Sequence, residues 1–291
     1  MKGDGMAGSH GGAVRPKVGT TTFGFRYLLL DAALAPDLGC VVEEAAALGL
    51  DMLQVCENSR PLELSEAAWE AVAARAAALG LEIELGCKTV QPAVFERYLE
   101  RAARLPSRLL RVVLEEEEGP PPGRAEVDAF LAAAWRMLEP AGARLAIENH
   151  FDVPGEVLAA AAEAYPADRV GFCIDTANSL RNFESPETVF RLLGPRAFCY
   201  HLKDFTVEGD KLGFRVGGAP LGAGRLDLDG ILDRVLASGP EPRILVENWT
   251  PATGDRETDV AEDAAWLRRS FGALVDALAA RGIPDRWRHG R

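Results

Sequence analysis

Glu148, Asp175, His201 and Glu247 each close a short apolar run: Leu145-Ala146-Ile147-Glu148, Val170-Gly171-Phe172-Cys173-Ile174-Asp175, Phe198-Cys199-Tyr200-His201 and Ile244-Leu245-Val246-Glu247. A buried strand has no ordinary reason to end in a carboxylate or an imidazole, because such groups leave water only when paired or bound to a metal. Four endings of this kind in succession point to strands that converge on one divalent cation. Three carboxylates and one imidazole suit a fairly hard ion. Mn²⁺ is the leading choice, with Mg²⁺ or Co²⁺ as alternatives. Arg26 and Arg60 follow the first two strand-like runs and could hold a substrate carboxylate or phosphate.

Such a set needs elements that bring strand ends together. From residue 17 onward, strand and helix patterns alternate. Val18 to Phe23, Asp51 to Cys56, Leu81 to Leu85, Leu109 to Leu114, Arg144 to Glu148, Val170 to Asp175, Ala197 to His201 and Arg243 to Glu247 read as strands. The stretches between them carry helical spacing and helix punctuation: Gly49 and Gly80 as stops, Ser65 as a cap, Pro92 in a first turn. A long loop is expected after His201. Eight strands alternating with helices predict a single (β/α)₈ barrel over residues 17–291, in which sites lie at the C-terminal strand ends. The competing open sheet would show a glycine-rich phosphate turn after strand one, and Thr20-Thr21-Thr22-Phe23-Gly24-Phe25 is not one.

Composition bounds the reading further. The chain has 291 residues, 48% of them hydrophobic, enough for one large α/β domain. Its net charge of -12 argues against a nucleic-acid partner, which would need Lys and Arg to neutralise phosphates. No run approaches the roughly 20 apolar residues of a membrane helix. Residues 1–16 read as a disordered leader without the apolar core of a signal peptide. The five cysteines show no CxxC pairing, and buried thiols in a reducing, cytoplasmic compartment are expected. A homo-oligomer is left open.

The motifs Ala146-Ile147-Glu148-Asn149-His150, Asp175-Thr176-Ala177-Asn178, His201-Leu202-Lys203-Asp204, Gly222-Ala223-Gly224-Arg225-Leu226-Asp227 and Val246-Glu247-Asn248 occur in that order. Together they resemble the xylose-isomerase-like TIM-barrel sugar phosphate isomerase/epimerase superfamily. That superfamily spans ketose 3-epimerases, hydroxypyruvate isomerases, dehydratases, a 3-oxoisoapionate decarboxylase and endonuclease IV. The resemblance implies a metal held by Glu148, Asp175, His201 and Glu247. It also implies that Glu148 and Glu247 form the acid/base pair of an isomerase or epimerase acting on a keto sugar or keto sugar acid through an enediolate. A lyase, either decarboxylase or dehydratase, is the alternative. The trinuclear zinc site of the DNA-repair branch needs many histidines, and this chain has 4.

Strand alternation adds His150, Lys203 and Trp249 as residues on the faces of Glu148, His201 and Glu247. Two positions depart from the family pattern. Asn178 stands where many relatives carry a histidine, and an amide cannot shuttle a proton at neutral pH, although it can bond a substrate oxygen. Val207 stands where ketose 3-epimerases tend to carry an arginine.

Overall fold

The computed structural model describes residues 14–30, 38–116 and 118–287. The expected leader therefore lies outside the described residues, apart from 14–16. Eight parallel strands close into a barrel: β1 (Lys17–Thr21), β2 (Met52–Val55), β3 (Glu82–Lys88), β4 (Leu109–Val113), β5 (Arg144–Glu148), β6 (Val170–Asp175), β7 (Ala197–Leu202) and, after a hairpin of β8 (Asp204–Asp210) and β9 (Gly213–Ala219), β10 (Arg243–Val246). β10 pairs with both β7 and β1, so the ring has no edge.

Helices fill the crossovers. A short α1 (Arg26–Leu29) is followed by α2 (Leu38–Ala47), α3 (Glu66–Ala78), α4 (Pro92–Ala102), α5 (Arg124–Ala141), α6 (Gly155–Ala162), α7 (Pro186–Leu193), α8 (Leu228–Ala237) and α9 (Arg256–Ala280). Their starts follow local chemistry. Ser65, Ser185, Asp227 and Asp255 accept from the amides of Ala68, Thr188, Gly230 and Thr258. Pro92 and Pro186 open α4 and α7, where a missing N–H costs nothing.

Two expectations need correction. Strand one stops at Thr21, not Phe23, because Thr21 Oγ1 accepts from Phe23 N and tightens the chain into a 3₁₀ turn. The stretch after His201 is the β8–β9 hairpin, not a loop. Its root is the Asp204 carboxylate, which accepts from the amides of Phe205, Gly222, Gly224 and Leu226. Gly222 has φ 81°, and a Cβ on Gly224 would stand 2.2 Å from Asp204 Oδ1. The glycines of that motif therefore shape a loop around Asp204.

The lumen is layered. Met52, Leu109, Ala146, Cys173, Cys199 and Leu245 form a separate apolar cluster inside the ring. Two positions further along the same strands, on the same face, stand Gln54, Arg111, Glu148, Asp175, His201 and Glu247. An apolar floor thus carries a polar storey. Cys56, Cys87, Cys173 and Cys199 are buried and unpaired, while Cys40 is exposed. No helix among the described residues is long and apolar enough to cross a membrane.

Candidate active site

Glu148, Asp175, His201 and Glu247 meet at the C-terminal mouth of the barrel, each at most 8% exposed. Donor atoms of Asp175, His201 and Glu247 lie within 4.8 Å of one another. His201 Nδ1 stands 3.6 Å from Glu148 Oε2 and 3.4 Å from Glu247 Oε2. Glu148 Oε2, Asp175 Oδ2 and His201 Nδ1 are buried; the two oxygens meet the cations Arg111 and Lys203, and Nδ1 meets only carboxylates. His201 is the residue where Glu148 meets the Asp175–Glu247 group, and three carboxylates with one imidazole suit a hard or borderline divalent ion. Glu148, Cys173 and His201 make a second, deeper triad. Cys173 belongs to the apolar floor, and Arg111, whose Nε is 3.1 Å from Glu148 Oε2, disfavours a cation at that depth.

The remaining bonds aim these side chains. His201 Nε2 lies 3.1 Å from Gln54 Oε1 and donates its proton there, so Nδ1 is the nitrogen turned to the carboxylates, where a bound cation would replace its proton. Gln54 Nε2 donates to Glu84 Oε2, and Glu84 Oε1 pairs with Arg243. Asp175 Oδ1 accepts from the amides of Ala177 and Asn178. Glu247 Oε2 accepts from Thr21 Oγ1. Asn178 bridges two site residues: its Nδ2 donates to Glu148 Oε1 at 3.0 Å, and its Oδ1 accepts from Lys203 Nζ at 3.1 Å.

Lys203 Nζ lies 2.8 Å from Glu247 Oε1, 3.0 Å from Asp175 Oδ2 and 4.8 Å from the Trp249 ring centre. The charges set the protonation states of the metal-free cluster. Burial works against Glu148, but Arg111 and His201 hold its carboxyl well below the usual range. Burial likewise opposes Glu247, and Lys203 and His201 keep it low. Burial, with Glu148 and Glu247 beside it, raises Asp175 against the pull of Lys203. Burial alone would lower His201; Glu148 and Glu247 outweigh it and push the ring up to about 9. Lys203 is raised in the same way by Asp175 and Glu247.

Above the cluster lies a cavity of about 250 Å³ whose walls include Arg26, Lys88, His150, Phe151, Lys203 and Trp249. His150 Nδ1 sits 2.7 Å from Glu115 Oε2, and Glu115 Oε1 accepts from Asp152 N at 3.0 Å. Burial would raise Glu115, but His150 and the Asp152 amide keep it low and ionised. His150 Nε2 is then the ring nitrogen left to the cavity. Arg60 is not on the cavity wall; it turns to Glu63 at 3.3 Å. Val207 packs its side chain toward the core from the hairpin.

Five residues were absent from the sequence reading: Gln54, Arg111, Glu115, Lys88 and Glu57. Arg111 is 1% exposed and reaches Gln54, Glu57, Glu148, the Cys87 carbonyl and Cys56 Sγ. Gly86 makes room for it, since a Cβ there would stand 2.9 Å from Arg111 Cζ. The signal for Gln54 and Arg111 was a polar residue interrupting Met52-Leu53-Gln54-Val55 and Leu109-Leu110-Arg111-Val112.

A family model described as xylose isomerase-like TIM barrel matches residues 42–270. The chain belongs to that family. A 3-oxo-isoapionate decarboxylase of Pectobacterium atrosepticum is 27% identical over 260 residues, covering 88% of this chain and 94% of that one. Among solved structures, D-psicose 3-epimerase determined with D-fructose superposes with a TM-score of 0.69 at 16% identity, over 90% of this chain and 99% of that one. A Mycobacterium smegmatis xylose isomerase-like TIM barrel protein in complex with magnesium gives 0.63 at 14% identity, over 90% and 98%. At these identities the two structures speak to the fold alone.

Proposed function

We propose that this chain is a divalent-metal-dependent lyase that removes CO₂ from a hydroxylated keto acid. The observation that carries the reading is His150 on the cavity wall, its Nδ1 2.7 Å from Glu115 Oε2 behind it, which leaves Nε2 to the substrate. The decarboxylase from Pectobacterium supports it, being similar over most of both chains. Mn²⁺ suits the donor set of three carboxylates and one imidazole. Glu148, Asp175, His201 and Glu247 would hold the cation, which when bound supplies Lewis-acid stabilisation of a developing oxyanion.

The chain's own groups supply the rest. Lys203, held by Asn178, Asp175 and Glu247 and over Trp249, sets a fixed positive charge beside the substrate. The bond from the carboxylate carbon to the adjacent carbon breaks, CO₂ departs, and the electron pair moves onto the neighbouring carbonyl as an enediolate. One proton must then reach carbon, and His150, aimed by Glu115, is placed to give it from Nε2 as an imidazolium and to take another from solvent. Asn178 ties Glu148 to Lys203 and leaves the proton to His150. A second reading, isomerase or epimerase, is favoured by Glu148 and Glu247 both facing His201 Nδ1 from separate strands.

The deciding experiment incubates the Mn²⁺-loaded protein with 3-oxo-isoapionate in D₂O, followed by NMR and a CO₂ assay. One CO₂ per substrate, with deuterium at the former carboxylate-bearing carbon, is expected. An isomer with every carbon retained would replace the lyase reading with the second one. His150→Gln should lower the rate about 10²–10⁴-fold with Mn²⁺ affinity unchanged; full activity in this variant removes His150 as the donor.

A further inference from the structure

We infer that Lys88 and Arg26 form an anion subsite at the cavity rim that takes the carboxylate of the substrate. The inference rests on the keto-acid reading above and adds where the acid group binds. Lumen-facing positions alternate along β3. Glu84 lies at the floor, bonded to Gln54 and Arg243; Gly86 yields space to Arg111; Lys88 comes out at the mouth. Lys88 is half-buried, and among the described residues its ammonium makes no hydrogen bond or ion pair. Its field reaches Glu115, but that carboxylate is already taken up by His150 Nδ1 and the Asp152 amide.

Arg26 lines the same cavity from the other side of β2. Its Nη2 donates to Tyr27 Oη at 3.0 Å, while its Nε is buried without a partner. Asp263 lies within the field of Arg26, and its Oδ1 is occupied by Thr250 Oγ1 at 2.7 Å. The other basic side chains on the wall are committed: Lys203 to Asp175 and Glu247, and His150 to Glu115. The acid Glu57 is committed to Arg111. What remains is the Lys88 ammonium, without a counter-charge, and the Arg26 guanidinium on the same cavity wall, two cations that an incoming carboxylate can engage. A half-buried cation without a counter-charge is costly, and an incoming anion relieves that cost.

The placement has a chemical consequence. A carboxylate held at the rim is kept from the three carboxylates of the floor, and the hydroxyl and keto oxygens are the ones presented there. Because both cations are only partly buried, the ion pair that CO₂ departure breaks is a weak one.

The test is calorimetric titration of wild type, Lys88→Met, Lys88→Arg and Lys88→Met/Arg26→Gln with threonate and with threitol. The two probes share a carbon skeleton and differ in one carboxylate. Each titration is run with Mn²⁺ and again in chelator. Wild type should prefer threonate in both conditions. Lys88→Met should weaken threonate about tenfold and leave threitol unchanged, Lys88→Arg should restore it, and the double variant should lose the preference. Equal binding of the two probes by wild type, or a preference that survives the double substitution, overturns the subsite. Inorganic phosphate binding more tightly than threonate would overturn the carboxylate assignment. Failure of wild type to bind Mn²⁺ would sink the metal reading, and the titrations in chelator would still decide the subsite.

Discussion

At the scale of single residues, the site depends on which nitrogen of His201 holds the proton. Gln54 Oε1 accepts from Nε2 at 3.1 Å and from Arg111 Nε at 3.2 Å, and Gln54 Nε2 donates to Glu84 at 3.2 Å. The amide is thus locked with its oxygen toward the imidazole, and Nδ1 is the nitrogen turned to the carboxylate cluster, where a bound cation would replace its proton. Outer partners of this kind tune a ligand's orientation and basicity. Gln54→Leu should therefore weaken Mn²⁺ binding about 10–100-fold by calorimetry, with the barrel intact by circular dichroism. Unchanged affinity would mean that the ring is held by its neighbours alone. The four proposed ligands were legible in the sequence because each terminates an apolar run. Gln54 and Arg111 were not, because the reading asked what ends a strand and not what interrupts one. Glu115 and Lys88 depend on a rotamer and on a neighbouring strand, and neither is encoded in local pattern. Arg60 shows the converse: a cation after a strand-like run, turned away to Glu63.

At the scale of elements, β2 to β7 and β10 were legible because parallel strands buried on both faces read as continuous apolar runs. The β8–β9 hairpin was not. Its strands carry Gly209, Gly217 and Gly218, and Glu208 and Asp210 face solvent, so the β signal is weak. The Asp204 carboxylate organises its root through bonds that span 22 residues. The closing helix α9 carries a buried acid whose cost depends on pH. Burial pushes Asp263 up from 3.8 to about 6, and only partly is this offset by Thr250. A carboxyl raised on folding stabilises the fold below its unfolded value, and that contribution is lost as pH rises through the folded one. The window here is pH 4 to 6. Denaturant titrations at pH 4 and pH 7 should show wild type losing stability between them at this site. Asp263→Asn, which keeps an acceptor for Thr250, should gain on wild type at pH 7 relative to pH 4. An equal difference at both pH values would contradict the buried-acid account.

At the scale of the whole molecule, the barrel gathers charge that the fold alone does not favour. Glu148, Asp175 and Glu247 are brought together almost free of water, with Arg111 and Lys203 as the fixed cations among them. In the metal-free lumen His201, raised by Glu148 and Glu247, joins Arg111 and Lys203 opposite these three acids, and a bound divalent ion would take the place of its proton. The ring strands cannot relax apart without breaking a closed ladder, so these charges are held together in the native state. A cation bound by the native cluster and not by the unfolded chain must therefore stabilise the protein by linkage. At free Mn²⁺ one hundred times its dissociation constant the gain is about 2.7 kcal/mol. For a chain of this size that raises the melting temperature by about 5–10 °C, at about 2–4 °C per kcal/mol. Scanning calorimetry with Mn²⁺ and with chelator measures it directly. The shift should shrink sharply in His201→Ala, which removes the nitrogen donor, and should persist in Lys88→Met, whose side chain lies at the rim. Identical melting of wild type with Mn²⁺ and with chelator would show that the cluster is balanced by Arg111, Lys203 and His201 without any metal.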